Sequence, residues 1–366
     1  MKKHFLLSSI SLVTILLSIS CSMSKDSSAN QKTCQQPTNI ILMIGDGMST
    51  PQVYAAMLTS ENPTSFERFP FTGLAKTYSK SHKITDSAAG GTAIATGHKT
   101  NNGMIGMDSD SIPVPSVLEI LSEKGMKTGV IATSYITHAT PASFVAKNIN
   151  RNNYEEIAMD FAKSDKVDLL IGGGRKHFNQ RQDGVNLIEQ MVSEGWNYYD
   201  TLINIKESDK TMILASEGHL PSYPSRGNFL PDATVLALEK LSGSENGFFL
   251  MIEGSQIDFA AHNCDSTYLV NELHDFDNTI NKVLDFAEKD GNTLVIVTAD
   301  HETGGLTMID TNGRYTETFF KFSTGSHSPL MVPVFAFGPG SENFTGIMEN
   351  TDIVKKIYQL LECNHN

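Results

Sequence analysis

Carboxylates and imidazoles recur where short apolar runs of this chain end. NIILMIG is followed by Asp46, GFFLMI by Glu253 with Asp258 and His262 just beyond, and NTLVIVTA by Asp300 and His301. His327 stands ahead of another such run, MVPVFAFG. Burying several carboxylates close together costs too much unless cations compensate, so the pattern points to bound metal ions. Mixed imidazole and carboxylate ligands suit zinc, whereas oxygen ligands alone suit magnesium. Asp258 and His262 are spaced i, i+4, which on one helical turn aims both at a common ion. Asp300 and His301 are neighbours; inside a strand they would point to opposite faces, and they can share an ion only where the chain is leaving the strand. A reactive hydroxyl is a second candidate feature. The stretch KITDSAAGGTAIATGHKT sets Asp86 and Ser87 ahead of a run of small residues, where Ser87 reads as a helix cap or as the residue that does the chemistry.

These residues need a scaffold that gathers strand ends. From Thr38 onward, apolar runs alternate with amphipathic segments, as expected of an α/β fold: a three-layer sandwich with a central, mostly parallel sheet. NIILMIG, KTGVIAT, DLLIGGG, GFFLMIEG, NTLVIVTAD and MVPVFAFG read as strands buried on both faces. In such sheets ligands bind beyond the carboxyl ends of the strands, which is where the polar residues fall. SVLEILSEKG and YEEIAMDFAKS read as crossover helices, and DIVKKIYQLL as the closing one. A long helix is predicted over 266–289, with Leu269, Leu273, Phe276, Ile280, Val283 and Ala287 on one face and Asp275 and Asp277 on the solvated face. The catalytic domain is read as a single unit over 38–363, with inserted cover for a cleft expected around 152–231.

In order along the chain, IGDGM, TDSAAGGTA, THATPASF, IEGSQIDFAAH, TADH and His327 resemble the motifs of the alkaline phosphatases, and they span nearly the whole of the expected domain. The resemblance implies an alkaline-phosphatase-like fold and a phosphomonoesterase with two zinc ions, one magnesium ion and a phosphoserine intermediate. It implies Ser87 as nucleophile, with Asp46, Asp300 and His301 around the zinc beside it. Asp258, His262 and His327 correspond to the ligands of the second zinc. Asp46, Thr140 and Glu253 correspond to the magnesium ligands, and Arg151 to the arginine that grips the phosphoryl group. Metal coordination would stabilise a serine alkoxide without a histidine base, and two in-line displacements would retain configuration at phosphorus. Two positions depart from familiar members. Phe259 stands where many carry Lys or His, and is expected to weaken phosphate binding. His138 stands where many bacterial members carry Asp, and is expected beside the metal ligands rather than among them.

The formal net charge of −13 argues against a nucleic-acid-binding surface, which needs clustered Lys and Arg. The beginning, MKKHFLLSSISLVTILLSISC, reads as an export signal over 1–21, followed by a polar tether over 22–37. Its end resembles a lipoprotein signal, which predicts a periplasmic or cell-envelope enzyme anchored to the membrane through Cys21. Cys34, Cys264 and Cys363 remain, and a clasp between Cys34 and Cys363 is one pairing open to them. The resemblance also brings a homodimer into view, although no interface is legible. The competing readings are a phosphodiesterase of the same superfamily and, in a different class, a non-catalytic zinc-binding surface lipoprotein. His98 and His177 carry no ligand spacing and are expected at the surface or behind the site, and Lys83 and Lys99, flanking the Ser87 segment, are expected to be solvated.

Overall fold

The computed structural model describes residues 36–202, 210–310 and 318–362. The expected export signal, Cys21, Cys34 and Cys363 lie outside the described residues. The chain begins β1 (Asn39–Gly45), α1 (Thr50–Thr59), β2 (Phe71–Lys76), α2 (Ser87–Thr96), α3 (Val117–Glu123), β3 (Lys127–Tyr135), α4 (Ala139–Ala142) and α5 (Tyr154–Lys163). It continues through β4 (Leu169–Gly173), α6 (Lys176–Asn179), α7 (Leu187–Ser193), β5 (Trp196–Tyr199), β6 (Lys210–Leu214) and α8 (Phe229–Leu241). Next come β7 (Phe248–Gly254), α9 (Gln256–His262), α10 (Ser266–Asp290) and β8 (Thr293–Thr298). The short strands β9 (Glu302–Thr303), β10 (Leu306–Asp310), β11 (Thr318–Phe322) and β12 (His327–Ser328) precede β13 (Val332–Phe337), β14 (Gly346–Glu349) and α11 (Asp352–Glu362).

Ten strands form one sheet in the order β14-β2-β13-β8-β1-β7-β3-β4-β6-β5. All its pairings are parallel except those of β13, which runs against both β8 and β2. Every residue of β1, β7 and β8 is buried, which is why these runs read as continuously apolar rather than alternating. Helices α1, α8 and α9 gather around α10, and α3, α4 and α11 gather around α2. Strands β1, β7, β8 and β3 are neighbours and parallel, so their carboxyl ends open at one edge. That edge receives Asp46, Glu253, Asp300 and the turn after Tyr135.

The stretch 152–231, expected to hold inserted cover, supplies β4, β6 and β5, which complete one side of the sheet. DLLIGGG was legible as β4, whereas β5 and β6 span only four and five residues, too few to tell strand from cover. Of the three glycines 172–174, the first two end β4 and Gly174 leaves it at φ 90°; a Cβ on Gly173 would come within 2.3 Å of the Gly218 carbonyl.

Helix α10 runs as predicted, from the Asp265 cap, whose side chain accepts from Tyr268 N–H, to Gly291 in the left-handed region at φ 73°. Its apolar face is wholly buried. Its aspartates depart from expectation. Asp275 is buried and, with Glu272, holds the guanidinium of Arg226: Nη2 lies 2.6 Å from Asp275 and 2.5 Å from Glu272, and Nη1 lies 2.7 Å from Glu272. Burial pushes the Asp275 carboxyl up to about 6 against the pull of Arg226. Asp277 accepts from Ser65 N–H at 2.8 Å and so fastens the preceding turn to the helix. Neither partner lies within helical reach in sequence, which is why both acids read as solvated. Removing one member of a buried ionic group leaves the others uncompensated. Arg226→Met is therefore expected to destabilise the fold by about 3–5 kcal/mol. Urea denaturation measures it, and an unmoved midpoint would deny the triad its structural role.

Candidate active site

The site is built at the carboxyl ends of β1, β7 and β8. Asp46 follows β1 and is completely buried. The next residue, Gly47, has φ 74°, and a Cβ there would lie 3.0 Å from the Asp258 backbone, so the turn requires glycine. Gly47 N–H donates to Asp300 Oδ1, which ties the β1 turn to the β8 turn. Asp300 and His301 lie beyond the end of β8, out of the strand, and can therefore face one point.

Ser87 is the first residue of α2, not its cap. Asp86 takes that position: Oδ1 accepts from Ala89 N–H at 3.0 Å, and Oδ2 accepts from Gly103 N–H at 3.0 Å and from Arg151 Nη1 at 3.1 Å. One carboxylate thus sets the start of the helix and the position of the largely buried arginine. Ser87 is 1% exposed, and its Oγ lies 3.1 Å from His301 Nε2. The small residues after it permit close packing, since a Cβ on Gly90 would stand 2.7 Å from the Asp300 carbonyl.

Among the described residues, three groups of side chains offer ligand atoms within 4.8 Å of one another: Asp46 with Asp300 and His301, Asp258 with His262 and His327, and Asp46 with His138 and Glu253. In the first, His301 Nε2 lies 3.6 Å from Asp46 Oδ1 and 3.3 Å from Asp300 Oδ2. In the second, His262 Nε2 lies 3.1 Å from His327 Nε2 and 3.3 Å from Asp258 Oδ1. Ligands held about 2.0–2.1 Å from one tetrahedral zinc ion stand about 3.3 Å apart, so both groups fit it. The imidazoles are oriented for that task. His262 Nδ1 bonds the Gly325 carbonyl at 2.9 Å and His327 Nδ1 the Thr85 carbonyl at 2.8 Å, so each Nδ1 carries a proton and each Nε2 keeps its lone pair. His301 Nδ1 is held by the Thr303 hydroxyl at 3.2 Å, and that hydroxyl donates to Asp258 Oδ1 at 2.5 Å. Thr303 carried no sequence signal, because its two partners are distant or follow a turn.

The third group brings in a residue expected beside the ligands. His138, expected beside the metal ligands, offers a ligand atom alongside Asp46 and Glu253. Its Nδ1, both Asp46 oxygens and Glu253 Oε1 are buried with no hydrogen-bond partner, although buried polar atoms are normally satisfied. A cation would supply what they lack. Thr140 Oγ1 donates to Asp300 Oδ2, a member of the first group, at 3.3 Å. Electrostatics point the same way. Burial, followed by Asp300, Asp258 and Glu253, raises the Asp46 carboxyl well above the carboxylate range, and burial pushes Glu253 up to about 8. Burial also holds His138 and His301 neutral, as ligands must be.

Phe259 turns its ring toward His138 and His219, with centroids 5.7 and 4.9 Å away. His177, expected at the surface or behind the site, is buried against Tyr135 and Tyr154. Lys99 is not freely solvated either: its Nζ donates to the Tyr78 carbonyl at 2.6 Å, and burial lowers it to about 8. Cys264 is a free, exposed thiol.

Residues 37–321 match the sequence pattern of the alkaline phosphatase family. The chain is 34% identical to alkaline phosphatase 4 of Bacillus subtilis strain 168, across 92% of this chain and 91% of that protein. It is 30% identical to the alkaline phosphatase of Escherichia coli K12, across 86% and 84%. Among solved structures it is similar to the alkaline phosphatase of the Antarctic bacterium TAB5, with a TM-score of 0.87 and 43% identity, covering 91% of this chain and all of that one. A histidine-to-aspartate variant of the TAB5 enzyme, equally similar, was solved with Mg bound in its M3 site.

Proposed function

The chain belongs to the alkaline phosphatase family and is a metal-dependent phosphomonoesterase, and from that premise we propose that Ser87 is its nucleophile, working beside two zinc ions and one magnesium ion. The observation that carries this reading is the convergence of the three ligand groups on one edge, with Ser87 Oγ 3.1 Å from a member of the first. Asp46, Asp300 and His301 would hold one zinc, and Asp258, His262 and His327 the other. Asp46, Glu253 and Thr140 would hold magnesium, with His138 as a further ligand or its close neighbour. The variant of the TAB5 enzyme that binds Mg lends support, since it pairs a histidine-to-aspartate exchange with a third metal site.

When bound, the ions supply positive charge that lets oxyanions form at neutral pH and stabilises the phosphoryl oxygens. The residues supply position. Asp86 fixes Arg151, whose planar fork matches two non-bridging phosphate oxygens, while the same carboxylate caps α2. Ser87, at the first position of a ten-residue helix, sits where the dipole and free N–H groups favour an anion. Its Oγ attacks phosphorus in line, the ester P–O bond breaks and the alcohol leaves. Water then breaks the Ser87 O–P bond and releases inorganic phosphate.

The substrates are small phosphomonoesters. A lipid anchor at Cys21, an exported or periplasmic location and a homodimer belong to this proposal and rest on the sequence alone; no helix among the described residues is long and apolar enough to cross a membrane. Turnover of p-nitrophenyl phosphate and of its bis ester, before and after chelation and zinc restoration, tests the reading. Monoester hydrolysis that is lost on chelation and regained with zinc is the expected result. Equal turnover of the bis ester would favour a diesterase, and activity indifferent to chelation would exclude the metal assignment.

A further inference from the structure

A strip of rings joins the segment of Asp258 to that of Arg151 and takes no part in the steps above. At one end Phe259 follows Asp258 directly and stands edge-on to His219, centroids 4.9 Å apart. His219 stacks on Tyr135 at 3.6 Å, and Tyr135 meets Tyr154 edge-on at 5.6 Å. At the other end Tyr154 follows Arg151 by three residues. All four rings are partly exposed, so the strip borders solvent instead of filling core. It is also held in place. Tyr135 N–H donates to His219 Nδ1 at 3.1 Å, and Lys176 Nζ donates to the Tyr135 hydroxyl at 3.2 Å.

Beyond Tyr154 the strip opens into a groove of about 470 Å³ lined by Asn153, Glu155, His177, Gln182 and Asp183. His177 is 9% exposed and its Nε2 has no hydrogen-bond partner. The amides suit uncharged polar groups; Arg181, which also lines the groove, is paired with Asp183, which leaves Glu155 and Glu156 to disfavour a second negative charge. Aromatic side chains that keep part of their surface exposed offer faces and edges to another ring.

We propose that the strip and groove bind the alcohol half of the substrate, and that the preferred phosphomonoesters carry a neutral, ring-bearing alcohol such as a nucleoside. The inference rests on the assignment of Ser87 and Arg151 to the phosphoryl group, because that assignment puts the leaving alcohol beside the strip. The test compares kcat/KM for 5′-AMP, benzyl phosphate and glycerol 2-phosphate in the wild-type holoenzyme, in Tyr154→Ala and in Tyr154→Phe. None of these alcohols has the activated leaving group of a phenol, so the comparison reads binding rather than intrinsic reactivity. Base stacking on an aromatic side chain is worth enough to change kcat/KM by about tenfold. The wild type is therefore expected to prefer 5′-AMP over glycerol 2-phosphate by about that factor. Tyr154→Ala is expected to remove most of the preference for 5′-AMP over glycerol 2-phosphate, and Tyr154→Phe to keep it. An equal preference for benzyl phosphate supports the strip and overturns the groove's part. Equal kcat/KM for all three esters, or a preference untouched in Tyr154→Ala, overturns the inference while leaving the phosphatase assignment standing. Failure to hydrolyse even glycerol 2-phosphate overturns both.

Discussion

Ser87→Ala is expected to lower kcat for phosphomonoesters by at least about 10³-fold, by analogy with removal of the nucleophile in other hydrolases that form covalent intermediates. That factor corresponds to about 4 kcal/mol of transition-state stabilisation. The substitution deletes one hydroxyl from a 1% exposed side chain and leaves the helix start intact, because the cap belongs to Asp86. Metal content and thermal midpoint should consequently stay close to wild type, and the phosphorylated serine should vanish from acid-quenched protein. Loss of activity together with loss of metal would assign the effect to a damaged site. Full activity with metals bound would falsify the covalent mechanism.

Asp46→Asn is expected to be as damaging by another route. Asp46 is the one residue shared by two of the three ligand groups, and neither of its oxygens has a hydrogen-bond partner within the protein. Metal content should fall for both of those groups, with affinity lowered by more than about 100-fold, the upper range seen when only a residue behind a ligand is changed. Asp258→Asn, by contrast, touches one group and should spare the other two. The chelated proteins offer a separate readout. Asp46 is held among Asp300, Asp258 and Glu253 in a fully buried setting, so removing its charge relieves repulsion when no cation is present. The metal-free Asp46→Asn protein should therefore be at least as stable as metal-free wild type, while the holo wild type exceeds both. Elemental analysis and thermal melts decide the matter: a variant that keeps its full complement of ions would show that Asp46 is not a shared ligand.

The extent to which the sequence was legible differs from residue to residue. Strands β1, β7 and β8 were readable because strands covered on both faces must be apolar throughout, and α10 because six apolar positions repeat at helical spacing over a capped segment. The metal-type residues stood out by type and by place, as acids and imidazoles at strand ends. Their grouping was legible for Asp258 and His262, which share a helical turn. The other groupings came through a resemblance in motif order.

Contacts between distant segments were the part left dark. Asp275 looked solvated until Arg226 closed on it, Thr303 carried no signal until it bridged His301 and Asp258, and His177 looked incidental until it packed between tyrosines. The nearness of His138 to Asp46 and Glu253 was dark in the same way, because only folding brings the turn after β3 against the ends of β1 and β7. By itself the sequence determined the elements and the kinds of side chain at their ends, since burial and helical periodicity act on each segment separately. Which oxygens and nitrogens meet within ligand distance, and which charges pair in the core, was decided by the tertiary structure alone, because those energies depend on neighbours that the order of residues does not name.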